Sequence, residues 1–452
     1  MSAVWSRRKF IARSSTAGLG WACTGKLLAA SEVEEIELYV PVRAVTRGPR
    51  RHWFGYYDKE QFSRDERWLL GNEVTFEHRS PTAEDEIAVG MVDLCDGDRW
   101  IELGRTRAWN WQQGCMLQWR PGHPDEVVWN DREGGQFVVR LHNVRTGRTR
   151  TLPAPIYALS PDGRWALAPD FRRLNDCRPG YGYAGVPDPR ANLGAPDDTG
   201  IWKIDLETGR VDLLLSFADV VRFAPPRGGF PPDAKHWVNH LLVGPDGQRF
   251  VFLHRWRTPG MKGWWTRMLS WGADGRDPWL VNATGKVSHF IWRDSRSLLM
   301  YAGVPPDGQR WAFLVVEARG DRVDEVDGMM ERDGHCTYVP GRANEWIVCD
   351  TYPIEPARVQ VLYMVHPASR RRWILGRFPS PPEYTGEWRC DLHPRVSPSG
   401  RWVCIDSAHG DQGRQMWRVD LDELWRVASG SGGLAVAPIP SSPRGRRSRT
   451  PL

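Results

Sequence analysis

The segment Ser160-Pro161-Asp162-Gly163-Arg164-Trp165 returns as Gly244-Pro245-Asp246-Gly247-Gln248-Arg249-Phe250, and again as Ser397-Pro398-Ser399-Gly400-Arg401-Trp402. Repetition constrains a fold more than local propensity does, because every copy must build the same unit. Degenerate copies stand at Ser63-Arg64-Asp65-Glu66-Arg67-Trp68, Arg120-Pro121-Gly122, Arg293-Asp294-Ser295 and Val339-Pro340-Gly341, which makes seven turns. Each is a Pro–Asp–Gly type reversal followed by an apolar run, as at residues 165–168, 249–253 and 402–405. Further strand pairs follow around glycine turns, such as Glu207-Thr208-Gly209-Arg210. Four strands in each of seven repeats predict an all-β fold, a seven-bladed β-propeller over residues 31–427 without a separate catalytic domain. The last repeat lacks a fourth strand after Asp420, and residues 35–45 precede the first repeat. The N-terminal strand is therefore expected to complete the last blade and close the ring. One interval is longer than the rest, and its Pro/Gly/Asp-rich stretch 175–200 reads as a loop insertion.

The net charge of +6 is misleading until it is located. Residues 1–30 hold Arg7, Arg8, Lys9, Arg13 and Lys26 with no acid, and residues 441–452 hold four more arginines with no acid. The body between them is slightly acidic, so nucleic-acid binding is excluded as a reading. Ser6-Arg7-Arg8-Lys9-Phe10-Ile11 has the pattern of a twin-arginine export signal, with Leu27-Leu28-Ala29-Ala30 as a small-residue end. A periplasmic or extracellular protein is expected, without membrane insertion, since no run approaches the ~20 apolar residues a membrane helix needs. Residues 428–452 are rich in Gly, Ser, Pro and Arg and are expected to be disordered. The seven cysteines beyond residue 30 are odd in number and irregularly spaced, which argues against a disulfide framework. Cys349 and Cys404 lie in strand-like runs and should be buried thiols.

A propeller converts repeat phase into position. The start of each innermost strand lies at the mouth opposite the repeated turn, and the second strand returns to that same mouth. The strand starts read Tyr57-Asp58-Lys59, Gln113 to Cys115, Ile156-Tyr157, His240, His289, His335 and His393. Four consecutive blades thus place a histidine at one phase, which isolated structural histidines would not do. The return ends include Asn72-Glu73, Asn130-Asp131, His254-Arg255, Asp350 and Asp406, and Arg267 should reach the same mouth. Asp391 and His393 are two apart and share a strand face. With His335 in the neighbouring blade they would hold a divalent ion through N and O donors. The aromatic stretches at residues 54–59, 109–113 and Arg178-Pro179-Gly180-Tyr181-Gly182-Tyr183 have two readings: packing between blades, or rings and polar groups that grip a sugar.

The ordered series His236-Trp237-Val238-Asn239-His240, Pro245 to His254, Ser288-His289, Asp333-Gly334-His335 and His393-Pro394-Arg395 resembles the oligogalacturonate lyases over residues 236–420. The first half is loosely similar to propeller-type ulvan lyases. The resemblance implies a seven-bladed propeller that cleaves uronic-acid oligosaccharides by β-elimination with a divalent metal, usually manganese; zinc and calcium are the alternatives. It implies that His289 is the proton-abstracting base, that Arg267 binds the substrate carboxylate, and that His335 and His393 are metal ligands. The sequence departs from the family where Gln-x-x-His-x-His becomes Trp388-Arg389-Cys390-Asp391-Leu392-His393.

An acidic oligosaccharide or polysaccharide is therefore the expected partner of a monomer, with His240, His254, Tyr57, Lys59, Gln113 and Arg178 as substrate contacts. Tyr181, Tyr183 or Tyr57 would protonate the leaving oxygen, and the sequence does not choose among them. A non-catalytic propeller that binds glycans or proteins is the alternative. Replacing Arg7 and Arg8 together by Lys is expected to block export of the precursor, measured by fractionation; unchanged export overturns the signal assignment.

Overall fold

A computed structural model of the chain describes residues 33–428 except Tyr39 and Asp327. The expected export segment 1–30 and the basic tail beyond Ala428 lie outside the described residues. The repeated turns are shaped by their own side chains. Ser160 Oγ donates to Asp162 at 2.6 Å, Asp162 accepts from the Arg164 N–H at 3.1 Å, and the Trp165 N–H donates to Ser160 Oγ at 3.1 Å. Ser63, Asp65, Arg67 and Trp68 repeat the pattern. The fourth position is left-handed in each case, at φ 66°, 70° and 72° for Gly163, Gly247 and Gly400, where glycine is unstrained.

Every turn links the innermost strand of an antiparallel sheet to its second strand, and there are seven such sheets. Blade one comprises Arg51–Trp53, Trp68–Val74, Ile87–Asp93 and Arg99–Thr106; blade two begins at Gln118–Trp119 and blade three at Ala158–Leu159. Blade four comprises Lys235–Val243, Arg249–Arg257, Trp265–Gly272 and Trp279–Gly285, and blade five begins at Val287–Trp292. Blade six runs from Thr337–Tyr338 and Ile347–Cys349 out to Arg371–Pro379, and blade seven contains Arg395–Val396, Trp402–Ser407 and Gln415–Asp420.

Closure follows the expectation. Val42–Ala44 pairs antiparallel with Gln415–Asp420, Val42 opposite Val419, and completes blade seven from the other end of the chain. The first part of the stretch 35–45 does not join blade seven as expected: Glu34–Glu37 lies parallel to Arg371–Pro379 and makes blade six five-stranded. Its acids meet Arg371, Arg372 and Arg377, so this outer edge carries paired charge rather than bare apolar surface.

Between blades one and two, Trp53, Trp109 and Trp111 interlock at centroid separations of 5.1 to 5.7 Å. Both tryptophans of the 109–113 stretch are buried, so there the packing reading holds and the sugar reading does not. The insertion expected as a loop begins instead as a helix, Phe171–Cys177, capped by Asp170, which accepts from the Arg172 N–H at 3.0 Å. Arg173 pins it down: fully buried, it pairs with Asp188 at 3.2 Å and donates to the carbonyls of His236, Leu193 and Gly194. A buried guanidinium is tolerated because its donors are satisfied. The seven described cysteines are all unpaired, six of them buried, and no described helix is long and apolar enough to cross a membrane.

A protein that starts at Val45 loses both N-terminal strands and exposes the Gln415–Asp420 edge. Its melting temperature is expected to fall by at least several degrees relative to a protein starting at Val33, with concentration-dependent self-association in light scattering. Equal melting temperatures and monodispersity would contradict this role in closure.

Candidate active site and metal centre

The histidine positions arise where the innermost strands break register. In blade four the ladder slips between Asn239 and Leu242, and in blade five between Val287 and Phe290. His240 and His393 sit in left-handed backbone at φ 54° and 44°, unusual for a non-glycine residue and a sign that the local fold is imposed by its surroundings. These breaks bring the rings together in blade order. Centroids are 6.3 Å apart for His240 and His289, 4.3 Å for His289 and His335, and 4.1 Å for His335 and His393.

Blade one contributes a plug to this ring. Trp53 pairs with Asn72 and Phe62 with Leu69, but residues 54–61 between them leave the ladder. Tyr57 Oη accepts from the Phe290 N–H at 3.0 Å and donates to the Phe290 carbonyl at 2.8 Å, satisfying backbone groups that the blade-five bulge leaves unpaired. It also lies 3.2 Å from His240 Nε2. Tyr57 is buried and its hydroxyl is fully used, so it cannot serve as the expected substrate contact or leaving-group acid. Lys59 pairs with Asp58 and lies over the Tyr157 ring, and Gln113 donates to the Tyr157 hydroxyl at 2.8 Å. Both are spent inside the channel and are absent from the cavity wall described below.

His335, Asp391 and His393 bring one ligand atom each within 4.8 Å of one another. Asp350 governs two of them. Its Oδ1 accepts the His335 N–H at 2.6 Å, its Oδ2 accepts the His393 N–H at 3.0 Å, and both oxygens lie 3.0 Å from His335 Nδ1. This places the proton of His335 on Nδ1 and leaves the Nε2 lone pair directed away from Asp350. Burial lowers the pKa of His335, but the adjacent Asp350 outweighs it and the balance is upward; burial and His335 hold His393 well below its usual range. Gly334 is required here, since a Cβ on it would stand 1.9 Å from the Asp350 carbonyl oxygen.

His335 Nε2, His393 Nε2 and both Asp391 carboxylate oxygens are buried without a hydrogen-bond partner. Arg389 Nε, 2.7 Å from Asp391 Oδ2, touches the carboxylate out of hydrogen-bonding alignment. An unmatched buried polar group costs about 1–3 kcal/mol, so several converging on one point match the donor set of a divalent ion.

His289 stands beside this cluster. Its Nδ1 is 2.9 Å from Asp333 Oδ1, while Ser288 Oγ donates to the other Asp333 oxygen at 2.7 Å. Burial draws the His289 pKa down despite Asp333, leaving a neutral imidazole whose Nε2 is 3.5 Å from the Tyr352 hydroxyl.

His289, His240 and Tyr352 line a cavity of about 280 Å³, together with Arg178, Tyr181, Arg255 and Trp264. His335, Asp391 and His393 are not on this wall. Tyr181 Oη accepts from Arg389 Nη2 at 2.9 Å. Burial pushes this phenol up, but Arg389 and Arg178 bring it down to about 7.

Three expected site residues lie elsewhere. Arg267 sits opposite His254 in the ladder, so strand alternation points both to the same face, away from the cavity. Its Nε donates to His254 Nδ1 at 2.9 Å, and its Nη2 donates to the carbonyls of Val220 and Phe223. His254 is consumed by Arg267 and by His236, whose Nδ1 is 2.9 Å from its Nε2. Tyr183 is buried, stacked on Phe171 at 4.3 Å, and its hydroxyl accepts from Asn130. Arg255, opposite Thr266 and one residue on from His254, takes the cavity face instead. Asp350 and Arg255 stand at return ends the repeat phase singles out, and Asp333 in the motif Asp333-Gly334-His335, yet only contacts reveal their roles.

Manganese titrated into the purified protein is expected to bind, to be lost in His393→Ala, and to survive in His289→Ala. Asp350→Asn should weaken it by about 10–100-fold by loosening His335. Calorimetry that finds equal affinity in His393→Ala would overturn the ligand assignment.

No family model and no curated protein matches the sequence. Among solved structures, the chain is similar to an oligogalacturonate lyase from Vibrio parahaemolyticus, with a TM-score of 0.59 at 14% identity over 85% of this chain and 95% of that one. It is similar also to an oligogalacturonate lyase in complex with manganese, with a TM-score of 0.59 at 15% identity over 85% of this chain and 94% of that one. At such identity the likeness establishes shared architecture: this chain has the propeller fold of the oligogalacturonate lyases.

Proposed function

We propose that this protein is an exported, lyase-like enzyme that cleaves uronate-containing oligosaccharides by β-elimination in the cavity at the propeller mouth. The observation that carries the reading is a neutral His289, oriented by Asp333, on the wall of a cavity whose lining holds arginine and lysine but no Asp or Glu. An acidic sugar is drawn to such a lining.

The chemistry follows from the groups present. The proton at C5 of a uronate passes to His289 Nε2, and Asp333 stabilises the imidazolium through Nδ1. The electron pair left on C5 forms the C4–C5 double bond as the C4–O bond breaks. Tyr181, held by Arg389 and lining the same cavity, donates its proton to the departing oxygen. A divalent ion on His335, Asp391 and His393 would supply Lewis-acid neutralisation of negative charge near the substrate carboxylate. Manganese is the proposed ion, with zinc or calcium as alternatives for a set of two imidazoles and one carboxylate.

A second reading, a non-catalytic glycan-binding propeller, is favoured by one contact: Arg389 already lies against Asp391. The two separate on turnover. Incubation with acidic oligosaccharides is expected to generate an unsaturated product that absorbs in the ultraviolet, with His289→Ala lowering the rate by at least about 10²-fold. A phenol that must be protonated to act loses its proton as pH rises, so activity should decline above about pH 7, and Tyr181→Phe should abolish that decline along with most turnover. Binding of acidic oligosaccharides with no unsaturated product from any of them would establish the second reading.

A further inference from the structure

Arg178 and Arg255 are two cations without an acidic partner among the described residues. Nε and Nη1 of each are buried and have no hydrogen-bond acceptor, and Arg255 is only 7% exposed. They approach one ring from different elements: the Arg178 guanidinium carbon lies 4.2 Å from the Trp264 ring and 4.1 Å from Tyr181, and that of Arg255 lies 5.3 Å from Trp264. Stacking on aromatic faces compensates part of a buried cation's lost hydration and leaves the N–H edges open. Arg178 is delivered by the insertion that Arg173 anchors, and Arg255 by the second strand of blade four. Both line the cavity of His289, yet from the side of blades three and four, whereas His289 belongs to blade five and the metal-ligand triad to blades six and seven.

We infer that Arg178, Arg255 and Trp264 form a second, anion-binding subsite, which seats the acidic group of the sugar residue next to the one that is cleaved. The inference rests on the lyase reading for its substrate and adds a requirement to it: two adjacent anionic residues, not one. Guanidinium edges match an oxyanion by paired N–H donation, whether the oxyanion is a carboxylate or a sulfate ester, and Trp264 holds both guanidiniums at the cavity wall. Burial, with the repulsion of Arg178 added, brings Arg255 down to about 9, and that repulsion is relieved when an anion enters between the two arginines.

The test uses full-length His289→Ala protein, in which binding is read without turnover, and calorimetry with three probes. These are a disaccharide of two uronates, the same disaccharide with the second carboxyl reduced to an alcohol, and a disaccharide whose second residue is neutral except for one sulfate ester. The di-acidic probe is expected to bind at least about tenfold more tightly than the reduced one. Arg178→Gln and Arg255→Gln should each erase most of that preference while manganese binding, which reports an intact ring, is unchanged. If the sulfated probe binds tighter still and depends on the same arginines, the seated group is a sulfate ester and the subsite stands. A preference that is absent, or that persists in both arginine variants with manganese binding intact, overturns the proposal. If instead the preference is present and arginine-dependent but the unmutated protein forms no unsaturated product, the lyase reading falls and the subsite remains. Should Arg255→Gln fail to fold, Arg178→Gln, which sits on the exposed side of the pair, decides alone.

Discussion

Asp350 carries more of this site than any other side chain. One buried carboxylate receives two backbone N–H groups from different blades and the Nδ1 edge of His335. It therefore sets the seam between blades six and seven and the aim of His335 at the same time. The position is structural before it is functional. Asn130 closes the seam between blades two and three by bonding the N–H and C=O of Ile156, and Asp406 closes the ring by receiving the N–H groups of Phe54 and Gly55. Each stands late in a second strand and braces the next blade's inner chain. In blade six that general seam device acquires a histidine, and packing also orients the His335 imidazole.

The plug in blade one depends on the same logic. Residues 54–61 abandon their ladder, so their backbone needs other partners; Asp406 accepts the N–H groups of Phe54 and Gly55, while Tyr57 from this segment bonds the Phe290 backbone across the channel. Buried Arg395 ties this together, pairing with Asp406 at 2.8 Å and donating to Gln61 at 2.9 Å. The left-handed strain at His240 and His393 is held in place by these contacts rather than by any local preference. Because the ring closes here, through a strand from the N-terminus and a carboxylate from the last blade, loss of closure would slacken the histidines as well as the sheet edge.

What was legible in the sequence was phase. The turn motif fixes where each inner strand begins, and that alone placed His240, His289, His335 and His393 in one ring and Asp391 beside His393. What phase cannot give is the face of a strand or the depth of a loop. Arg255 and Arg267 both lie near the mouth of blade four, but one residue of alternation sends Arg255 to the cavity and Arg267 to the carbonyls behind it. Tyr57, Tyr181 and Tyr183 all stand in glycine- and aromatic-rich stretches, and only their contacts separate them: Tyr181 lines the cavity, whereas the hydroxyls of Tyr57 and Tyr183 are used in the interior. Residues 35–45 were legible as strand, with Ile36, Leu38 and Val40 alternating toward the core, but not the pairing of Glu34–Glu37 with blade six, where its acids meet the arginines of the neighbouring strand.

The arrangement of charge is the remaining physical constraint on function. Asp350 and Asp391 are buried and, like half-exposed Asp333, are absent from the cavity wall, whereas the cations Arg178, Arg255 and Lys286 stand on it. Were the acids on the wall, they would neutralise the arginines and repel an acidic sugar. Were the arginines behind, they would repel an ion from the His335–Asp391–His393 cluster. On the proposed reading, this segregation would seat a cation on the inner side of one small volume and an anion on its outer side, with the imidazoles as the layer between. Arg389 is the single charge that spans the layer, touching Asp391 on one side and Tyr181 on the other. It couples the two halves electrostatically, so an ion that draws Asp391 away from Arg389 would strengthen the hold of Arg389 on the Tyr181 oxygen and make that phenol a stronger acid.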